Sequence, residues 1–161
     1  MSSVHPVDDI RILHKESVCL ASAGYDVHLV AIGTGAPYVE RGVNVHPVAA
    51  SGARLKRASV GAAKVLHTAL GTGAELFHFH DPELIPFGLL LRGMGKRVIY
   101  DVHESLPKAV MSKPYLHPAV RRSIATAAGG AERAMGRFAS AIVTATPAIA
   151  RDFPAEKTLA V

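Results

Sequence analysis

Two short stretches gather most of the groups able to move protons or hold ligands: FHFHDPEL at residues 77–84 and VIYDVHE at residues 98–104. Each is an apolar run that ends in imidazoles and carboxylates. Strand alternation puts Phe77 and Phe79 on one face and His78 and His80 on the other. His80, at the tip, is the candidate for proton transfer or ligand contact, while His78, inside the run, reads as a packed or supporting imidazole. His103 and Glu104 close the second run in the same way. The H-x-H-D pattern beside a second H-E offers nitrogen and oxygen ligands together, as a metal would need. No cysteine pair and no further H-x(3–5)-H completes a known spacing, so no metal is expected. Asp81 followed by Pro82 also has the signature of a helix N-cap with proline in the first turn. Pro86 then requires that this helix kink or begin there; if it begins there, DPELI is a loop and Glu83 can reach a ligand.

The elements that must carry these tips follow one another as helix and strand. VDDIRILHKESVCLASAG has apolar Ile10, Leu13, Leu20 and Ala21, a start signal at Asp8/Asp9 and a stop at Gly24, which predicts a helix. Tyr25 to Ala31 reads as a strand, and VNVHPV as an edge strand or a strand end because of Pro47. A helix from Ala53 to about Leu70 follows, then the strands AELFHFH and KRVIYDVHE, a long helix from Pro118 to Ala139, the strand SAIVTA, a short helix at PAIARDF, and the strand KTLAV. Short strands rich in Val, Ile and Phe, separated by helices, predict a doubly wound α/β fold, Rossmann-like and mostly parallel, with helices on both faces. Only MSSVHP precedes the first helix, so the first strand is either truncated or a stub of Ser2 to His5. In such sheets ligands bind beyond the carboxyl ends of the strands. That criterion collects Ser3, His5 and Pro6, then His80 and Asp81, His103 and Glu104, and Thr144 and Thr146.

A chain of 161 residues that is 49% hydrophobic and 19% charged is one ordinary soluble domain with a proper core. No apolar run reaches membrane-spanning length and no leader pattern opens the chain, which predicts a cytoplasmic location. The single cysteine, Cys19, is expected to be a buried or half-buried thiol. A net charge of +5 favours anionic partners. The densest basic cluster sets Arg57 and Lys64 opposite Leu55, Ala62 and Leu66, with Arg54 and Lys56 on the flanks. It reads as the solvated face of a crossover helix, with a membrane-surface or phosphate patch as the competing reading.

Taken together, SVHPVDDIRILHKESVCLASAGYDVHLVA, FHFHDPELIPFGLLLRGMGKRVIYDVHESLP and AIVTATPAIARDF resemble the N-terminal domain of bacterial family 4 glycosyltransferases, the retaining group with two facing Rossmann-like domains (GT-B). The resemblance covers essentially the whole chain, and FHFHDPEL followed by VIYDVHE is its most specific part. It implies a single acceptor-side domain over residues 1–161, with the nucleotide-sugar domain and its glutamate pair outside the chain. By the same resemblance His80 matches the family histidine that reaches the reacting centre, preceded by His78, and His103 lines the cleft. The first loop is glycine-rich in many relatives but reads SVHPVDD here, which makes His5, Asp9 and Arg11 candidate polar contacts. The candidate binding set therefore comprises His5, Asp9, Arg11, His78, Asp81, Glu83, His103, Glu104 and Thr146.

The implied partners are a glycan or lipid-linked acceptor and a donor domain in cis or as a separate subunit. Peripheral contact with the inner face of a membrane and a second copy of the chain through the incomplete sheet are also expected, and nucleic acid is not. The domain is expected to bind no cofactor; a UDP- or GDP-sugar serves as co-substrate of the whole enzyme. Competing readings are a metal-dependent hydrolase built on His78, His80, Asp81 and His103, and a non-catalytic binding module.

Overall fold

The computed structural model describes residues 1–49, 57–115 and 117–161. The chain divides into two compact units, Met1–Ala74 and Glu75–Val161.

In the first unit a three-stranded sheet has the order β1–β3–β2, with β1 Val27–Ile32, β2 Tyr38–Glu40 and β3 Val43–Val48. β1 and β3 run parallel and β2 runs antiparallel to β3. β3 is thus central, and Pro47 stands near a strand end, where its missing N–H is harmless: β2 pairs only as far as Val45. β2 escaped the sequence reading because three residues give no periodicity to detect. The opening segment lies along β1 without becoming a strand. Ser2 N–H donates to the Val30 carbonyl, Ile32 N–H to His5 and Val7 N–H to Ile32, with one bridge at Pro6–Ile32.

The first helix is π-wound from Ile10–Ser17 and continues as α1, Val18–Ser22. Asp9 caps it: its Oδ1 accepts from Arg11 N–H and Ile12 N–H, both at 3.0 Å. Gly24, at φ +91°, turns the chain out of the helix. The wide winding rotates the buried face onto Ile12 and Leu13, which pack on Leu29, Ala31, Val43 and Val45. Ile10 and Leu20, expected inward on an α-helical period, are exposed instead. Cys19 is also exposed, contrary to expectation, since it lies on the outer side of the same helix. A π-turn Arg57–Gly61 leads into α2, Ala62–Gly71, which contacts β1 and β3. Arg54, Leu55 and Lys56 of the expected basic cluster fall outside the described residues. Of the rest, Ala62 and Leu66 are buried and Lys64 is exposed.

The second unit holds a fully parallel sheet in the order β4–β5–β6–β7, namely Leu76–Phe79, Arg97–Val102, Ala141–Thr144 and Thr158–Ala160. After β4 comes a 3₁₀ turn, Pro82–Leu84, and then α3, Ile85–Gly93. Of the two alternatives Pro86 left open, the helix begins there, within its first turn, and DPELI is a 3₁₀ turn rather than an open loop. α4 (Leu106–Met111), with Pro107 in its first turn, is too short to show a helical period in the sequence. α5 (Pro118–Phe138) and α6 (Pro147–Ala150) match the expected helices.

The helix-covered face of this sheet is aromatic. Phe79 and Tyr100 stack at 4.8 Å between centroids, and Phe153 meets Tyr100 edge-on at 6.3 Å. α3 approaches closely because Gly88 lacks a side chain: a Cβ there would stand 2.6 Å from Phe79 Cε1 and 3.1 Å from Met135 Sδ. Between α4 and α5, buried Glu132 accepts the Leu106 N–H at 3.2 Å. Burial pushes its carboxyl up against that hydrogen bond, and Asp152 pushes in the same direction as burial.

The Gly88 contact sets two opposite outcomes for one substitution type. Alanine gains about 1 kcal/mol over glycine inside a helix, but overpacking against Phe79 and Met135 costs about 1–3 kcal/mol. Gly88→Ala is expected to lower the urea midpoint, whereas Gly130→Ala in α5, where a Cβ meets nothing within 4 Å, should raise it. Equal shifts for the two variants would contradict the packing account.

Candidate functional site

The carboxyl ends of β4 and β5 form one constellation within the second unit. In register, Phe79 pairs with Tyr100, so the next residues along each strand, His80 and Asp101, stand side by side. Alternation puts His78, His80, Asp101 and His103 on the face opposite Phe79 and Tyr100. Asp101 is the centre. Its Oδ2 lies 3.0 Å from His80 Nδ1 and 3.1 Å from His103 Nε2. His78 Nε2 stands 4.0 Å from the same oxygen. The His78 and His80 rings stack at 4.8 Å, and His103 meets His80 edge-on at 5.6 Å.

The Asp101 side chain is 0% exposed, that of His80 3%, and those of His78 and His103 24% and 28%. His80 is thus the innermost imidazole, with the other two on its flanks. Burial pushes the Asp101 carboxyl up, but hydrogen bonds from His103 and His80 and their positive charge outweigh it. The carboxyl is held well below the usual carboxylate range. An ionised carboxylate only accepts, so the geometry puts the His80 proton on Nδ1 and the His103 proton on Nε2. A carboxylate that fixes an imidazole tautomer and balances an imidazolium is an arrangement suited to placing a proton or a positive charge at one spot.

The remaining candidates occupy other places. Asp81 is buried next to His80 at the N-cap position of the 3₁₀ turn, yet it caps through its carbonyl, which accepts from Leu84 N–H. Its side chain makes no capping bond. Glu83 is half-buried in that turn, and Glu104 is exposed. Thr146, also exposed, caps α6 by accepting the Ile149 N–H at 3.3 Å. Buried Thr144 donates to the Thr146 carbonyl.

In the first unit His5, Asp9 and Arg11 form a local network. His5 Nδ1 lies 3.2 Å from Asp9 Oδ2, and Arg11 Nε donates to Glu16 at 2.9 Å. The Asp9 carboxyl is lowered: burial raises it, but hydrogen bonds from Ile12 N–H, His5 and Arg11 N–H prevail.

Asp101 itself was missed from the sequence, where it stood inside an apolar run. The available signal was D-x-H at 101–103 on the strand after H-x-H at 78–80: equal alternation on neighbouring parallel strands brings all four groups to one face.

A parallel sheet flanked by helices, with polar groups gathered at its carboxyl ends, defines an α/β protein of the Rossmann-like class. A family model described as glycosyl transferase 4-like domain matches residues 11–158. The chain belongs to that family. No curated protein matches it.

The lowered Asp101 carboxyl has a sign. A depressed native value contributes stability above the ordinary carboxylate pKa, and that contribution is lost as pH falls towards the native value. Asp101→Asn should therefore destabilise the protein by about 3–5 kcal/mol near neutral pH, as expected for breaking a buried charge pair. The gap to wild type should narrow as pH drops below about 4. Urea titrations at several pH values test this; a gap independent of pH would count against an ionised, imidazole-held Asp101.

Proposed function

We propose that this chain is the acceptor-side half of a retaining glycosyltransferase. In this reading the whole enzyme moves a hexose from a UDP- or GDP-sugar to a glycan or lipid-linked acceptor in polysaccharide or glycolipid synthesis at the cytoplasmic side of the cell. Residues 1–161 act as one acceptor-binding domain, and the nucleotide sugar is held by a donor domain in cis or on a separate subunit.

The observation that carries the reading is the set of three imidazoles organised by one buried carboxylate at adjacent strand ends, in a chain of this family. His80 is the catalytic residue, placed at the reacting centre. There, positive charge held by Asp101 and hydrogen bonding from imidazole steady the transferring sugar as its bond to the leaving diphosphate breaks. His78 and His103 line the acceptor pocket. Asp81, Glu83, Glu104 and Thr146 supply further polar contacts at the same strand ends; in the first unit, His5, Asp9 and Arg11 are polar contacts of their own. Asp101 acts as the positioning residue.

The test is sugar incorporation into endogenous acceptor by cells expressing the full gene product, compared between wild type and variants. His80→Ala should lower incorporation by about 100-fold or more, the usual scale for removing a catalytic imidazole. Asp101→Asn should lower it with a shifted pH profile, and residues 1–161 alone should transfer no sugar. Unchanged incorporation with His80→Ala, or robust transfer by the isolated chain, would reject the assignment.

A further inference from the structure

The sequence offered an H-x-H pair at residues 78–80 but no third ligand at a known metal spacing. The sheet supplies one: parallel pairing of β4 with β5 brings His103 and Asp101 of the next strand to the same face. Three imidazoles and a carboxylate then share one small volume. One ligand atom each from His78, His80 and Asp101 lies within 4.8 Å of the others. From Asp101 Oδ2, His80 Nδ1 stands at 3.0 Å, His103 Nε2 at 3.1 Å and His78 Nε2 at 4.0 Å.

Those separations match what a tetrahedral ion requires. Zinc holds imidazole nitrogen and carboxylate oxygen at about 2.0–2.2 Å, which sets neighbouring ligand atoms about 3.4 Å apart. The observed values bracket that edge. His80 and His103 need to move outwards by a few tenths of an ångström and His78 inwards by about half an ångström, shifts that side-chain rotation on fixed strands supplies. The donor set also selects the ion. Imidazoles with one carboxylate suit zinc and its neighbours in the first transition row, whereas magnesium and calcium take oxygen ligands. The flanking rings, His78 and His103, are partly exposed and give an ion a way in.

We propose that His78, His80, His103 and Asp101 bind one zinc ion in a closed tetrahedral site that switches this strand end off. Each coordinating nitrogen gives up its proton, and each neutral ring keeps one on its other nitrogen. Asp101 exchanges two N–H hydrogen bonds for one bond to the ion. With all four positions taken by side chains, none is left for a water to be activated, so the bound ion restrains rather than catalyses. It ties His80 to its neighbours and withholds it from any ligand. Loss of sugar transfer on zinc binding rests on the role given to His80 above; the site itself rests on the coordination geometry alone.

The test is equilibrium dialysis of the chain, carrying no affinity tag, against zinc chloride. One zinc per chain should be retained in the presence of about 5 mM magnesium. His78→Ala with His103→Ala should weaken binding by more than about 100-fold, since losing even a supporting partner of a ligand costs about 10–100-fold. His46→Ala, at the two-histidine pair of the first unit, should leave it unchanged. Cobalt(II) added to the wild-type chain should give the intense visible absorption of tetrahedral coordination, which requires no variant to fold. No retained zinc, a weak octahedral cobalt spectrum, wild-type binding by the double variant, or loss of binding in His46→Ala would each overturn the site. In permeabilised cells expressing the full gene product, zinc should lower sugar incorporation and a chelator should restore it. Zinc held by the chain with incorporation unchanged would uphold the site and reject His80 as the group at the reacting centre.

Discussion

The strand ends of the second unit depend on one buried negative charge. Asp101 has no exposed side-chain surface, and a lone carboxylate there would be untenable. Two imidazole N–H groups at 3.0 and 3.1 Å make it tenable. The dependence runs both ways. The carboxylate fixes the tautomers of His80 and His103, and the histidines keep the carboxylate ionised. His78, stacked on His80, limits the rotation that would break the first of those bonds.

That arrangement needs a sheet in strict register, and the opposite face of the same strands provides it. Phe79 and Tyr100, register partners on β4 and β5, stack on each other under α3. Gly88 lets the helix come down on Phe79, and Met135 of α5 closes the other side. A slip of one residue between β4 and β5 would move Asp101 to the aromatic face and leave its charge without partners. The packed face therefore sets the distance between His80 and Asp101, and the polar face penalises any alternative pairing.

Much of this was legible in the sequence. The succession of helices and strands, the Asp9 cap, the Gly24 stop and the placement of His80 just past a strand all follow from periodicity and capping rules. What escaped did so for physical reasons. A π-wound first helix turns at a different angle from the α-helix that periodicity assumes, so Ile10 and Leu20 were given the wrong side. β2 and α4 are too short to show a period. The role of Asp101 depends on which strand lies next to which, a tertiary fact that a one-dimensional pattern carries only when the neighbouring strand is also known.

The first unit shows why histidine spacing alone does not define a site. His28 and His46 sit on adjacent parallel strands, with His28 Nδ1 2.9 Å from His46 Nε2 and the rings stacked with their planes 24° apart. Burial and the charge of His28 hold His46 below the ordinary imidazole value. The carboxylate in reach, Asp26, is 81% exposed and 3.4 Å away, so water screens it and it cannot fix a tautomer or hold a charge in place. The two histidine clusters have similar ring separations, 5.2 Å here and 4.8 Å at the strand ends. They differ in the burial of the acid. A buried carboxylate turns neighbouring imidazoles into an ordered proton and charge store, whereas an exposed one leaves a pair that simply shares a hydrogen bond on a sheet surface.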